Sequence, residues 1–218
     1  MNVLAIVAHP DDETLGCGGT IAKHAAAGDA VTVVSIGSGI GSREKPESVG
    51  QRIEQFGLAM RTLGAKRHRA LCMFEDNSFD ATPLLVITKV IEKEIDNAAP
   101  DVIYTHHEHD LNVDHRLVYQ AVLTACRAFS CKAKRLLCFE VPSSTEAQRD
   151  QGDFNPSYFS DITGCFSTKI DAIKCYKDEL RDFPHPRSEE GLKTYAQWRG
   201  MQCGKQLAEA FEIVRWVE

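Results

Sequence analysis

Two short segments hold most of the residues whose types could carry out polar chemistry. The first is Ala8-His9-Pro10-Asp11-Asp12-Glu13. The second runs from Thr105 to His115 and contains His106, His107, Glu108, His109, Asp110, Asn112, Asp114 and His115. Two histidines and one carboxylate, with a fourth position left open, form a common catalytic zinc shell. Zinc brings the pKa of a bound water to about 7 and polarises a carbonyl oxygen. A further carboxylate nearby can take the water's proton. Adjacent aspartates after one histidine can supply both carboxylates, one as ligand and one as base. Each residue alone has a plainer use: Asp11, Asp12, Thr14 or Asp114 would serve as helix caps, and His106, His107 and His109 as solvated loop residues.

The positions of these segments favour the metal site. Val3–Val7 is a continuous apolar run, as in a strand buried on both faces of a parallel sheet. Residues 14–27 read as a helix ended by Gly28, and Val31–Ile36 as a second buried strand. The pattern repeats with a helix at Gln51–Leu63, a strand at Ala70–Phe74, a helical stripe at Leu84, Ile87, Ile91 and Ile95, and a strand at Asp101–Thr105. A helix at Leu117–Phe129, a strand at Leu136–Val141, helices near 167–181 and 189–203, and an apolar stretch at Phe211–Trp216 complete it. Alternating strands and helices imply an α/β fold with a mainly parallel sheet. Ligands bind such sheets beyond the carboxyl ends of the strands, where both segments emerge.

Gly16-Cys17-Gly18-Gly19 suggests a dinucleotide fingerprint, which fails because its last glycine would be Ile21. Close packing of a helix is the better reading of these glycines. The 218 residues fit one domain spanning 1–218, with no internal repeat or linker. A net charge of −6 argues against a nucleic-acid partner. No apolar run approaches a membrane span and no signal peptide is visible, so a cytoplasmic protein is expected. Eight cysteines without Cys-x-x-Cys spacing read as buried free thiols.

Ala8-His9-Pro10-Asp11-Asp12-Glu13, together with Asp114-His115 opening a later helix, resembles the LmbE-like, or PIG-L, family of zinc-dependent N-acetylglucosaminyl deacetylases. Leu15–Thr20, Arg52 with Glu54, and Asp76-Asn77 resemble it too, so the likeness spans most of the chain. It implies a Rossmann-like three-layer sandwich, Zn2+ as cofactor, and a small N-acetylated sugar as substrate. It implies His9, Asp12 and His115 as zinc ligands and Asp11 as general base. It also suggests a homo-oligomer of no fixed number.

The chain departs from the family pattern at Asn112, where some members carry a histidine, and at Asp110, where some carry a tyrosine. His185, within Phe183-Pro184-His185-Pro186-Arg187-Ser188, is a candidate replacement as acid or oxyanion partner, the plainer alternative being a histidine rigidified between prolines in a surface turn. Arg43, Asp76, Asn112, Asp114 and Arg187 are candidates for substrate binding, with Glu209 a weaker one. Loops 37–50 and 143–156 should set specificity. Competing readings are a metal-dependent phosphoesterase, which would usually want two metals, and an inactive sugar-binding module, which would not need Asp11.

Overall fold

The computed structural model describes residues 1–41, 48–148, 152–177 and 179–218. Arg43 lies outside the described residues. The strands are β1 (Asn2–Val7), β2 (Ala30–Gly37), β3 (Arg67–Phe74), β4 (Val102–His106), β5 (Arg135–Phe139), β6 (Tyr158–Asp161) and β7 (Ala208–Trp216). The helices are α1 (Asp12–Ala26), α2 (Val49–Leu63), α3 (Leu84–Ala98), α4 (Val113–Ala125), α5 (Phe166–Ile173) and α6 (Glu189–Cys203).

One sheet runs in the order β3-β2-β1-β4-β5-β7-β6. The first five strands are parallel, while β7 is antiparallel to both β5 and β6. From β1 the chain winds outward to β2 and β3, then crosses back to β4 and β5 on the other side. The reversal leaves a crevice beyond the carboxyl ends of β1 and β4, where such sheets bind ligands.

The alternation of side chains along β1 builds both cores. Val3, Ala5 and Val7 pack with Leu15, Phe56, Met60 and Ile170 on the face covered by α1, α2 and α5. Leu4, Ile6 and Ala8 pack with Ile87, Ile91, Val118 and Val122 on the face covered by α3 and α4. A strand buried on both sides needs an unbroken apolar run, which is why β1 shows no polar alternation. The result is the three-layer α/β sandwich.

Local chemistry sets the helix ends. Ser48 and Gln51 form a reciprocal capping box on α2, and Gly64 ends that helix in the left-handed region. Asn112 caps α4, its side-chain oxygen accepting from the Asp114 amide at 2.8 Å. Such a cap contributes about 1 kcal/mol. Helix α4 therefore begins at Val113 rather than Leu117, and its first turn carries Asp114 and His115. Helix α1 likewise begins at Asp12, two residues before the expected start. The expected helix at 167–181 is α5, which ends at Ile173. Strand β6 has no counterpart in the sequence reading.

Helix α1 is broken at Cys17, whose φ is −140° and ψ 22°. The groups freed by the break are recaptured from distant elements. Lys169 Nζ donates to the Leu15 carbonyl at 2.8 Å, and the Glu209 carboxylate accepts from Gly19 N at 2.9 Å and Thr20 N at 2.7 Å. Lys169 and Glu209 pair with each other at 2.7 Å. Glu209 is thus committed to the helix break, not to substrate.

The glycines here serve close packing. A Cβ on Gly16 would come 2.2 Å from the Phe139 ring, and one on Gly19 2.8 Å from Ile162. Gly16→Ala is expected to destabilise the protein by about 1–3 kcal/mol through overpacking. Gly164→Ala, where nothing lies within 4 Å, should stay within about 0.5 kcal/mol. Urea unfolding of the two variants checks the contrast, and equal stabilities would contradict it.

Candidate metal centre

His9 follows the end of β1, and Asp12 opens α1. His115 sits in the first turn of α4, across the switch point. The fold brings the three together without sequence proximity: His9 Nδ1 lies 3.4 Å and His115 Nε2 3.3 Å from Asp12 Oδ2. All three residues are buried, and their donor atoms lie within 4.8 Å of one another. Asp12 Oδ2 is fixed by the His9 amide at 2.9 Å.

The far side of each imidazole is held by a carboxylate. His9 Nε2 bonds Asp114 Oδ2 at 2.9 Å. His115 Nδ1 lies 3.0 Å from Asp110 Oδ1. These carboxylates are themselves anchored. Asp114 accepts from the amides of Asn77 at 2.7 Å and Phe79 at 3.1 Å. Asp110 accepts from the hydroxyls of Ser144 and Thr145 and from the Asn112 amide. A carboxylate behind a histidine fixes ring orientation and tautomer, leaving the other nitrogen for a metal. The donor set fits a divalent cation that accepts nitrogen and oxygen. Below it, His106 stacks on His115 with ring centres 4.0 Å apart, and its Nε2 accepts from the Ala8 amide at 2.9 Å. Burial and the neighbouring His115 push His106 down to about 3, so its ring is neutral.

Asp11 is set apart from the cluster by its backbone. Its φ of 122° lies where a non-glycine residue is strained. Arg52, fully buried on α2, reaches Asp11 Oδ2 at 2.9 Å, the Pro10 carbonyl at 2.5 Å and Glu179 Oε1 at 3.1 Å. Arg187 Nη1 meets Glu179 Oε2 at 3.1 Å and lies 3.7 Å from Asp11 Oδ2. Tyr176 donates to Glu13 Oε1 at 2.6 Å, and the Asp11 amide donates to Glu13 Oε2. Burial and the Glu179 charge raise the Asp11 carboxyl well above the usual range, against the pull of Arg52. For Asp12 the burial penalty is overcome by His115 and His9, and its carboxyl lies well below that range.

The sequence candidates divide accordingly. His9, Asp11, Asp12 and His115 come together, and Asp76 Oδ1 lies 3.2 Å from His9 Nε2. Asp114 does not face substrate: its side chain is fully buried and both oxygens hold protein groups. The Asn112 oxygen is committed to the α4 cap. Among the described residues His185 has no hydrogen bond or ion pair to His9, Asp11, Asp12 or His115. Its Nδ1 accepts from the Arg187 amide at 3.0 Å, so Arg187 is the residue of that turn directed at Asp11. The anchoring role of Asp110, the place of Glu179 and the buried role of Arg52 were not anticipated. Asp110 had a signal in its place in the histidine-rich segment and Arg52 in the family resemblance, whereas Glu179 had none.

The chain resembles known proteins in sequence and in fold. The family model described as GlcNAc-PI de-N-acetylase, PIG-L, matches residues 4–126. The chain belongs to the PIG-L family. It is 30% identical to the uncharacterized deacetylase YaiS of Escherichia coli over 80% of this chain and 90% of the relative. It is 29% identical to the diacetylchitobiose deacetylase of Thermococcus kodakarensis over 97% of this chain and 82% of the relative. A conserved protein of Thermus thermophilus, TT1542, has the same fold, with a TM-score of 0.81 at 21% identity over 100% of this chain and 96% of that one. No helix among the described residues is long and apolar enough to cross a membrane.

A proton balance follows from the cluster. Burial opposes charge on His9, but Asp114 and Asp12 outweigh it and raise His9 to about 9. Burial likewise opposes charge on His115, and Asp12 and Asp110 raise it to about 10. Both rings are therefore protonated at neutral pH without a metal, whereas a metal takes neutral imidazole. Loading at pH 7 should release roughly two protons, and affinity should rise with pH towards about 9–10. Calorimetry in buffers of different ionisation enthalpy measures this, and zero release would contradict it.

Proposed function

We propose that this protein hydrolyses the N-acetyl group of an N-acetylated amino sugar, with Zn2+ held by His9, Asp12 and His115. The observation that carries this is the division of labour between the adjacent aspartates. Asp12 shares one oxygen with the two inward-facing imidazole nitrogens, while strained Asp11 is turned to a separate cationic pocket. A bound Zn2+ would polarise the acetyl carbonyl and acidify a water beside it.

The remaining steps fall to the chain's own groups. Asp11 accepts the proton of the attacking water, and burial, by raising its carboxyl, makes it a stronger proton acceptor than a solvated aspartate. Arg52 holds Asp11 in place through Oδ2 and through the carbonyl of Pro10. Arg187, the cation beside Asp11, steadies negative charge developing on the acetyl oxygen. The proton gathered on Asp11 is then returned to the departing amine. Asp76, whose carboxylate lies beside His9, accepts a hydroxyl of the sugar.

One paired experiment tests this reading. Asp11→Asn should retain zinc and fold but lose acetate release by about 10²–10⁴-fold. His115→Ala should lose zinc along with activity. Metal content by mass spectrometry and enzymatic acetate assay read the two. Full activity in Asp11→Asn would sink the mechanism.

A further inference from the structure

Beside the metal centre lies a cavity of about 440 Å³, within the range of small-molecule sites. A single turn of chain, Thr145–Ala147, forms the shared wall. Thr145 lines the cavity, while its hydroxyl holds Asp110, the carboxylate behind His115. Glu140 lines the cavity and stands directly after β5, so the cavity lies at the same carboxyl edge of the sheet, one strand over from β4.

Three aromatic side chains line this cavity: Phe154, Tyr195 and Trp198. Arg199 holds two of them. Its guanidinium lies 3.9 Å from the Trp198 ring centre and 5.3 Å from that of Phe154. It is itself locked by a two-pronged pair with Glu140, at 2.6 and 2.7 Å, and a bond to Gln202 at 3.0 Å. Arg199 is therefore committed to the wall. Trp198 remains 46% exposed, so it keeps surface for a ligand.

The remaining charge in the lining is negative. Glu146 and Asp153 both line the cavity, and no cation among the described residues forms an ion pair with either. Glu146 accepts from the Ser143 amide and also bonds the Tyr195 hydroxyl. Fixed aromatic faces offer apolar stacking surface, and carboxylates accept from hydroxyl groups. A pyranose ring has a C–H face for the first and a rim of hydroxyls for the second. A phosphate would meet repulsion from both carboxylates.

We propose that this cavity is the subsite for a second, uncharged saccharide ring of the substrate, next to the ring whose acetamide is cleaved. It rests on the deacetylase reading and narrows it: the substrate is a neutral glycan rather than a phosphate-linked sugar.

The test uses the full-length zinc-loaded protein and three probes: N-acetylglucosamine, N,N′-diacetylchitobiose, and N-acetylglucosamine linked to a nucleoside diphosphate. Wild type should prefer the disaccharide by kcat/KM. Trp198→Ala should lower the disaccharide-to-monosaccharide ratio of kcat/KM by about tenfold or more, and Trp198→Phe should recover most of it. An unchanged ratio, or preference for the phosphate-linked sugar, overturns the proposal. Calorimetry separates its failure from that of the deacetylase reading. Should no sugar release acetate, disaccharide binding to Asp11→Asn that is lost in Asp11→Asn/Trp198→Ala would sink hydrolysis and keep the subsite. Binding indifferent to Trp198, or no binding, removes the subsite whatever the turnover.

Discussion

His9, Asp11, Asp12, Asp110, Asp114 and His115 are all ionisable and all removed from water, so each must find a partner inside the protein. The way they pair organises the whole carboxyl edge of the sheet. Asp114 and Asp110 take the outer nitrogens of the two histidines. Asp12 takes the inner ones, and Asp11, left without an imidazole, is supported by Arg52. Removing one partner from such a set leaves a buried charge uncompensated, at a cost of about 3–5 kcal/mol. The arrangement therefore depends on distant segments: α2 for Arg52, the Asn77–Phe79 amides for Asp114, and Ser144–Thr145 for Asp110.

The same constraint explains why the site sits at the break in winding order. Beyond β1 and β4 the chain leaves the sheet in opposite directions, and the gap is open to loops from both sides. His9 and His115 can meet there because the sheet core holds β1 and β4 in fixed parallel register. The break in α1 at Cys17 belongs to this constraint too. It lets the first turn carry Asp12 and Glu13 towards the crevice while the second half packs at contact distance on Ile162, with Lys169 and Glu209 satisfying the groups the break exposes.

Much of the fold was legible in the sequence because strands buried in a parallel sheet are short and mostly apolar: β1 reads as an unbroken apolar run after Asn2, and β2 and β4 as runs interrupted by only a few polar residues. Strand β6 was not legible: Tyr158–Asp161 is four residues of mixed polarity that become a strand only by pairing with β7. The cluster of His9, Asp12 and His115 was visible as motif and spacing. The carboxylates behind it were partly visible, since Asp110 and Asp114 were noticed but read as a departure and a substrate contact. Glu179 and the role of Arg52 were invisible, because a buried ion pair between α2 and the segment after α5 leaves no local pattern. His185 attracted attention by its residue type, while the group turned towards Asp11 is Arg187, two residues on. Residue type shows which groups can act; only packing shows which way they face.

In the proposed site, outer carboxylates present two imidazole nitrogens and one aspartate to a single zinc. X-ray absorption at the zinc edge of the loaded protein measures that shell directly. Only nitrogen and oxygen neighbours are expected, at about 2.0–2.2 Å, with the scattering pattern of two imidazoles. Sulfur at about 2.3 Å, from any of the chain's eight cysteines, or a shell without imidazole, would contradict it.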